Sequence, residues 1–298
     1  MKKVLITGAN GFIGQTLVAF FASAGYEIVA TSRGESRLKL PRGCLYESLD
    51  VTDGQAVKRV LENHQPDAVI NTAAIANVDV CEVEREACWA LNVSSVALLA
   101  ATCKTLNSHF IQLSTDFVFD GTSGPYAETD ETNPVNLYGE SKLASEVLIR
   151  EQGLERWSVV RTQLVFGAKG GELYGFPAWV KASLEKGKPI NVVDDQVRTP
   201  TSVQDLAFAC KRLLEKPDNG VYHVSGEETL SIYELAVKVA DFYELDADLM
   251  TPVPAAYFSH AAKRPLVTGF TLTKAAEYLD LRPHTVEESL RAISEGLR

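Results

Sequence analysis

The sequence contains few cysteines and no long hydrophobic run, and each shortage excludes a class of protein. Five cysteines stand among 298 residues without a C-x-x-C pair, so neither a disulfide framework nor a metal site is predicted. No stretch approaches the roughly 18 uninterrupted apolar residues of a membrane span, and a strand-like segment follows directly after Met1, Lys2 and Lys3. We therefore expect a cytoplasmic protein with reduced thiols, without an anchor or export signal.

Basic residues are also in short supply. Lysine and arginine total 29 against 39 aspartates and glutamates, which gives a formal charge of -10 and a pI near 5.1. This balance opposes binding to nucleic acid or to an anionic membrane surface, and it favours a small-molecule substrate. The 46% hydrophobic and 23% charged content is that of an ordinary globular protein with one large domain or two modest ones.

Strand and helix patterns alternate through the first part of the chain. Short β-branched runs predict strands, and apolar residues at helical spacing separate them. The predicted strands are 4–7, 28–31, 44–49, 68–71, 109–114 and 157–165, with helices over 13–24, 57–61, 84–106 and 138–151. This alternation predicts an α/β fold with a doubly wound parallel sheet of the Rossmann type.

The alternation of strand and helix patterns becomes less regular after Gly167. Helices are predicted at 177–186 and 203–214, strands at 190–193 and 221–224, and capping boxes at Ser231/Glu234 and Thr285/Glu288. We predict an NAD(P)-binding domain over 1–167 and a smaller substrate-binding lid over 168–298, with segments near 190–224 returning to the first domain. The absence of a low-complexity linker indicates one interlocked body.

The segment TGANGFIG, Thr7–Gly14, carries the first chemical signal. Gly8, Gly11 and Gly14 stand between a predicted strand and a predicted helix, where missing side chains let backbone amides approach a pyrophosphate. The helix N-terminus adds a favourable dipole. We predict cofactor contacts from these glycines and from Phe12 and Ile13; the alternative is a tight turn without a ligand.

Later strand ends are predicted to complete the cofactor site. About 20 residues past the glycines, where an NAD site carries an acid, the sequence has Ser32 and Arg33. An arginine there suits a 2′-phosphate, so NADPH is favoured over NADH, although a solvated loop arginine is the alternative. The further predicted contacts are Asp50 and Val51 at the adenine edge, and Ala73 and Ala74 along the path of the cofactor.

Thr115, Tyr138 and Lys142 form the predicted catalytic group. Thr115 ends a strand, while Tyr138 and Lys142 are one helical turn apart and share a face. A nearby cation favours phenolate, so we expect Tyr138 to exchange a proton near neutral pH. A surface Tyr-Lys pair is the alternative, but the glycine turn and the strand-end hydroxyl make it the weaker one.

At this point the sequence resembles the extended short-chain dehydrogenase/reductase superfamily and, within it, the dTDP-4-dehydrorhamnose reductase family. STDFVFDG and DQVRTPT are the segments more specific to the reductase branch. The motifs are TGANGFIG (7–14), NTAAIANVDVCE (71–82), STDFVFDG (114–121), PVNLYGESKLASE (134–146), RTQLVFG (161–167), DQVRTPTSVQDLA (195–207), GVYHVSG (220–226) and KRPLVTGFTLTK (263–274).

The resemblance implies reduction of a 4-keto sugar attached to a nucleoside diphosphate. Tyr138 would donate the proton, Thr115 would hydrogen-bond the carbonyl oxygen, and Lys142 would hold the nicotinamide ribose, so that Tyr138 and Lys142 also contact the cofactor. Hydride from the nicotinamide would complete the reduction.

Three positions depart from the family pattern. Phe117 stands where a tyrosine beside the sugar is usual, Leu164 where rhamnose-pathway enzymes often carry tryptophan, and Arg198 where glycine is common. These residues and Arg264 are the predicted substrate contacts. Arg198 and Arg264 are candidates for the diphosphate, with surface ion pairs as the alternative.

Two other functions compete with a reductase. One is an epimerase or dehydratase of the same superfamily, which regenerates its cofactor. The other is a non-catalytic role, because a branch similar to this family serves as the regulatory subunit of methionine adenosyltransferase. The predicted partner is a nucleoside-diphosphate sugar, with no nucleic acid or membrane, and a homodimer is compatible with the family.

Overall fold

Strands and helices alternate along residues 2–296, the part of the chain described by this computed structural model. The strands are β1 (Lys3–Thr7), β2 (Glu27–Ser32), β3 (Leu45–Ser48), β4 (Ala68–Asn71), β5 (His109–Thr115), β6 (Trp157–Thr162), β7 (Val165–Lys169), β8 (Glu172–Tyr174), β9 (Ile190–Val193), β10 (Val197–Arg198), β11 (Thr201–Ser202), β12 (Gly220–His223), β13 (Leu230–Ser231) and β14 (Met250–Val253). The helices are α1 (Phe12–Ser23), α2 (Gly54–His64), α3 (Val78–Val83), α4 (Arg85–Trp89), α5 (Ser95–Leu106), α6 (Leu137–Glu151), α7 (Phe176–Leu184), α8 (Val203–Glu215), α9 (Ile232–Phe242), α10 (Thr273–Leu279) and α11 (Val286–Gly296).

The central sheet has seven strands in the order β12-β6-β5-β4-β1-β2-β3, and every neighbouring pair is parallel. From β1 the chain first extends the sheet through β2 and β3, then returns to place β4 on the other side of β1. The order therefore reverses between β1 and β4, where this class of sheet forms its ligand crevice. The predicted doubly wound parallel sheet is confirmed.

Both faces of the sheet are covered, which explains why the central strands β1 and β4 carry apolar residues in succession. Along β1, Val4 and Ile6 join the core beneath α1 and α8, whereas Leu5 joins the opposite core beneath α2 and α5. Alternate residues of a strand point to opposite faces, so each strand supplies both cores. Burying one such side chain is worth about 1.5–3 kcal/mol.

The helix predicted over 84–106 is built differently. It begins at Arg85 as α4, passes through a π-helical turn at Ala90–Ser94 and continues as α5. By length and mean hydropathy (1.3) the 22-residue segment could cross a membrane, but its Val96 and Leu99 lie in the core of the sheet domain. Apolarity therefore reflects packing within the fold.

The C-terminal part forms a second core beside the sheet. Helices α7, α9 and α11 pack around the parallel pair β9–β14, while α8 and β12 belong to the sheet layer. Residues 190–193 do not return to the central sheet, because β9 pairs with β14. Within the predicted range 190–224, α8 and β12 are the elements that do. Both predicted capping boxes are present, at Ser231/Glu234 and Thr285/Glu288. The domain boundary at residue 167 remains a prediction.

Candidate active site

Two adjoining cavities open at the carboxyl ends of the strands where the sheet order reverses. The larger, about 730 Å³, runs past the loops that follow β1, β2 and β4. The smaller, about 440 Å³, lies against the ends of β5 and β6. Thr72 and Ala74 border both, so a long ligand in one cavity would reach a second ligand in the other.

The glycine turn forms one wall of the larger cavity. Gly8 has a φ of +63°, and a Cβ there would lie 2.6 Å from the Thr72 hydroxyl oxygen. Gly8, Gly11 and Phe12 line the larger cavity, and Ile13 lines the smaller one. Gly14 lines neither: its Cβ would stand 2.4 Å from the Gly8 carbonyl oxygen, so this glycine lets α1 pack on the turn.

The far end of the larger cavity holds the residues predicted for the adenosine half. Ser32, Arg33, Asp50 and Val51 line it, as do Ala73 and Ala74 nearer the middle. Asp50 Oδ1 already accepts hydrogen bonds from the Thr52 amide and hydroxyl, which hold the pKa of Asp50 below its usual value. One carboxylate oxygen therefore remains for a ligand.

Arg37 adds a second cation at this end that sequence reasoning missed. It lines the cavity beside Arg33, and both arginines are exposed. Asn10 organises their loop from the glycine turn: its side chain accepts from the Arg37 amide at 2.8 Å and donates to the Glu35 carbonyl at 2.9 Å. No local sequence signal predicts this contact, because Asn10 and Arg37 are 27 residues apart in the chain.

Thr115, Tyr138 and Lys142 all line the smaller cavity. Thr115 ends β5, and the Tyr138 ring meets the Phe117 ring edge-on at 6.0 Å. Gly139 explains the close approach, since its Cβ would lie 2.1 Å from the Phe117 carbonyl oxygen. The N-terminus of α6 is therefore pressed against the end of β5, which brings phenol and hydroxyl together.

The ionisation of this group differs from the expectation. Burial raises the pKa of Tyr138 above its ordinary value, and the hydrogen bond with Thr115 offsets only part of that effect. Burial also lowers the pKa of Lys142 to about 8, while the charge of Glu146 acts in the opposite direction. Burial therefore keeps Tyr138 protonated without a ligand, and the effect of the Lys142 charge on the phenolate stays a prediction.

Phe117 and Leu164 line the smaller cavity as predicted for substrate contacts. Leu164 has a φ of +41°, a left-handed conformation that a branched side chain adopts only under constraint. The constraint comes from its position between β6 and β7, where its carbonyl accepts from the Thr201 amide.

Arg198 lines the same cavity but is largely committed to the protein. Its Nη1 donates to the Val197 and Leu266 carbonyls, its Nη2 donates to the Pro265 carbonyl, and its Nε lies 3.4 Å from Asp116 Oδ2. Both charged groups are buried. The expected surface alternative is therefore wrong, and few donors remain for the predicted diphosphate.

Arg264 also has a partner in place. Its Nη2 donates to Asp79 Oδ2 at 2.6 Å, and His260 Nδ1 lies 3.6 Å from the same oxygen. Arg264 keeps a side chain 20% exposed at the wall of the smaller cavity, so it is the more accessible of the two arginines.

The larger cavity fits an extended nucleotide cofactor. A Cβ at Gly8 would clash with Thr72 and Ala73, so the bare backbone of the turn lies close to the end of β4 at the wall of this cavity. Lys142 is buried at the smaller cavity. Its backbone carbonyl accepts a hydrogen bond from the Ser145 hydroxyl, but its ammonium makes no hydrogen bond to any described residue. A ribose hydroxyl pair would give its ammonium the partner it lacks.

Comparison with known proteins decides the family. The model of the family described as RmlD substrate binding domain matches residues 1–298. This chain belongs to that family. Its solved relatives include the dTDP-4-dehydrorhamnose reductase of Bacillus anthracis in complex with NADP, at 29% identity and a TM-score of 0.88, with 99% of each chain covered.

Sequence relatives of this RmlD-family chain include both a reductase and a protein named as the subunit of another enzyme. A dTDP-4-dehydrorhamnose reductase of Aggregatibacter actinomycetemcomitans is 30% identical, with 98% of each chain covered. Methionine adenosyltransferase 2 subunit beta of Rattus norvegicus is 31% identical over 85% of this chain and 75% of its own. Overall sequence identity therefore does not distinguish a reductase from a regulatory subunit. The residues of the site have to make that distinction.

A buried ion pair behind the RmlD-family site was also missed from sequence. Glu146 accepts from Arg161 Nη2 at 2.7 Å and from the Ser114 hydroxyl at 2.5 Å, next to Thr115. Glu146 lies one turn after Lys142 on α6, so helical spacing could have predicted a carboxylate on the same face as Lys142.

Proposed function

We propose that this protein is an NAD(P)H-dependent reductase of a 4-keto sugar carried on a nucleoside diphosphate. One observation carries the proposal: Thr115, Tyr138 and Lys142 meet at a cavity that adjoins a dinucleotide-sized cavity built on the glycine turn. A protein that only used the fold for assembly would not need a protonated phenol and a buried ammonium at that junction.

The nicotinamide, when bound, supplies the hydride. Tyr138 gives its phenolic proton to the oxygen of the substrate carbonyl, and the Thr115 hydroxyl hydrogen-bonds the same oxygen. Without substrate, Thr115 donates to Asp116 Oδ1 at 3.0 Å, so its hydroxyl must rotate when the carbonyl arrives. Lys142 holds the ribose hydroxyls, and its positive charge favours the phenolate that Tyr138 becomes.

We propose NADPH as the preferred coenzyme. Arg33 and Arg37 stand exposed at the adenosine end of the larger cavity, where a 2′-phosphate would meet two guanidinium groups. No carboxylate replaces Arg33 at the position where an NAD site binds the ribose hydroxyls. The Bacillus anthracis relative, described in complex with NADP, is consistent with this choice.

The smaller cavity has an apolar wall against which one face of a sugar ring could pack. Phe117 and Leu164 supply that wall, and Arg264 supplies a cation for the diphosphate at the same cavity. We propose Arg264 as the diphosphate ligand and assign Arg198 to holding Asp116.

We propose a cytoplasmic location, which agrees with the five free cysteines. We also propose that the protein assembles as a homodimer.

A screen of 4-keto nucleotide sugars, followed by NADPH absorbance, tests the proposal. Net coenzyme consumption with one substrate supports a reductase, whereas product without consumption indicates an epimerase or dehydratase. Tyr138→Phe should lower turnover about 10²- to 10⁴-fold with little change in NADPH affinity, because it removes only the proton. Activity within threefold of wild type would remove Tyr138 from the reaction and favour a regulatory role.

A further inference from the structure

A β-hairpin absent from the sequence prediction borders the cofactor cavity. Strands β7 and β8 pair antiparallel, with Gly167 opposite Tyr174 and Lys169 opposite Glu172. Gly170 and Gly171 form its turn with φ values of 61° and 90°, the left-handed pair that two-residue hairpins use. Lys169 and Tyr174 line the larger cavity.

The base of this hairpin is fixed while its tip is free. A Cβ on Gly167 would lie 2.3 Å from Val203 Cγ1 at the start of α8, so the base is packed tightly. No atom stands within 4 Å of the Cβ position of Gly170 at the tip. Tyr174 lies at the base, opposite Gly167, and its ring contacts the Phe12 ring, with centroids 4.5 Å apart.

This aromatic contact places the hairpin beside the glycine turn. Phe12 is the first residue of α1 and follows Gly11 directly. Tyr174 is nevertheless 43% exposed, so only one side of its ring is covered. The contact is therefore one that can open without disturbing either core.

Lys169 faces the same cavity. Residues 169, 172 and 174 share one face of the hairpin, because opposite residues and every second residue point the same way. The Lys169 ammonium lies 4.9 Å from the centre of the Tyr174 ring, and no carboxylate among residues 2–296 stands within 4 Å of it. Its charge is available to a ligand.

The cations of the cavity divide by position. Arg33 and Arg37 follow β2 at the adenosine end, whereas Lys169 lies over the ring of Tyr174, which in turn contacts Phe12 at the helix N-terminus. A helix N-terminus with a cation opposite it suits an anion between them. The anion of a dinucleotide at that point is the pyrophosphate.

We propose that Lys169 is a pyrophosphate ligand and that the β7–β8 hairpin is a flap over the bound dinucleotide, latched by Tyr174 on Phe12. This assignment rests on the proposed function, since it requires a dinucleotide in the larger cavity. Release of the dinucleotide then requires the Tyr174 ring to leave Phe12, which couples the exchange rate to one exposed aromatic contact.

Titration of the full chain with NADPH and with NADH tests the ligand. Lys169→Met keeps the aliphatic stem and should raise both dissociation constants about tenfold, because both dinucleotides carry the pyrophosphate. Lys188→Met is the control: it removes the same charge from an exposed loop that lines neither cavity. The unliganded melting temperature should not change in either variant.

The outcomes separate the two proposals. If wild type binds neither dinucleotide, the proposed function fails and this assignment with it. If wild type binds and Lys169→Met binds equally well, the proposed function stands and Lys169 is not a ligand. A loss confined to NADPH would make Lys169 a 2′-phosphate contact, which overturns the pyrophosphate assignment.

Stopped-flow displacement of bound NADPH tests the flap. Tyr174→Ala removes the contact with Phe12 and should speed dissociation at least fivefold, whereas Tyr174→Phe keeps the ring and should behave as wild type. Equal dissociation rates in all three proteins would rule out a flap latched by this contact.

Discussion

Removing the charge of Glu146 is the sharpest test of how the site is held. Glu146 is fully buried and accepts from Arg161 Nε at 3.0 Å and Nη2 at 2.7 Å, while Arg161 is only 1% exposed. Glu146→Gln keeps the shape but leaves the guanidinium without a counter-charge. Breaking a buried pair in this way costs about 3–5 kcal/mol.

Such a loss is a large part of the about 5–15 kcal/mol that stabilises a typical domain. Urea denaturation should show a lower midpoint with an unchanged slope, since the folded surface is the same. The double variant Glu146→Met/Arg161→Met should be less destabilised than Glu146→Gln, because it buries no unpaired charge. Glu151→Gln, exposed at the end of the same helix, is the control.

The same substitution changes the electrostatic environment of Lys142. Among the nearby charges, Glu146 acts most strongly to raise the pKa of Lys142 against the effect of burial. Glu146→Gln should therefore move that pKa below about 8, so that the ammonium is lost at lower pH. A destabilisation under 1 kcal/mol, or a double variant as unstable as the single one, would refute the account of the buried pair.

Two further predictions concern the coenzyme and acid stability. Arg33→Ala should weaken NADPH at least tenfold more than NADH, with Arg42→Ala as an exposed control in the same loop region; an unchanged ratio would remove Arg33 from the site. Burial lowers the pKa of His109 to about 4 from 6.5, so the unfolded chain takes up this proton first as the pH falls. Stability should therefore be lost between about pH 6.5 and 4, and His109→Phe should flatten that loss in melting temperatures measured at each pH; an equal loss in both proteins would contradict this.

Local spacing was enough to predict the two central features of the site. The glycines at positions 8, 11 and 14 and the Tyr138/Lys142 turn depend on neighbours in sequence, and the structure brings both to the ends of the sheet strands. The spacing also predicted that Gly14 belongs to the glycine turn. Only the structure shows that Gly14 packs against Gly8 and does not line the cofactor cavity.

Features set by distant partners could not be predicted. Arg198 was predicted to bind the diphosphate, with a surface ion pair as the alternative, yet it is buried and meets Asp116 and the carbonyls of Pro265 and Leu266. The ionisation of Tyr138 likewise depends on how deeply α6 presses on the end of β5. Burial by non-local packing, rather than the charge four residues away, decides that pKa.

The position of β12 has a consequence for how the chain is made and divided. This strand closes the sheet against β6, yet it is reached only after 219 residues have passed. A nascent or truncated chain ending at residue 167 would expose the unpaired edge of β6, a template for pairing with other chains. The seven-stranded sheet is therefore completed late in synthesis, by a strand that follows Thr115, Tyr138 and Lys142 in the chain.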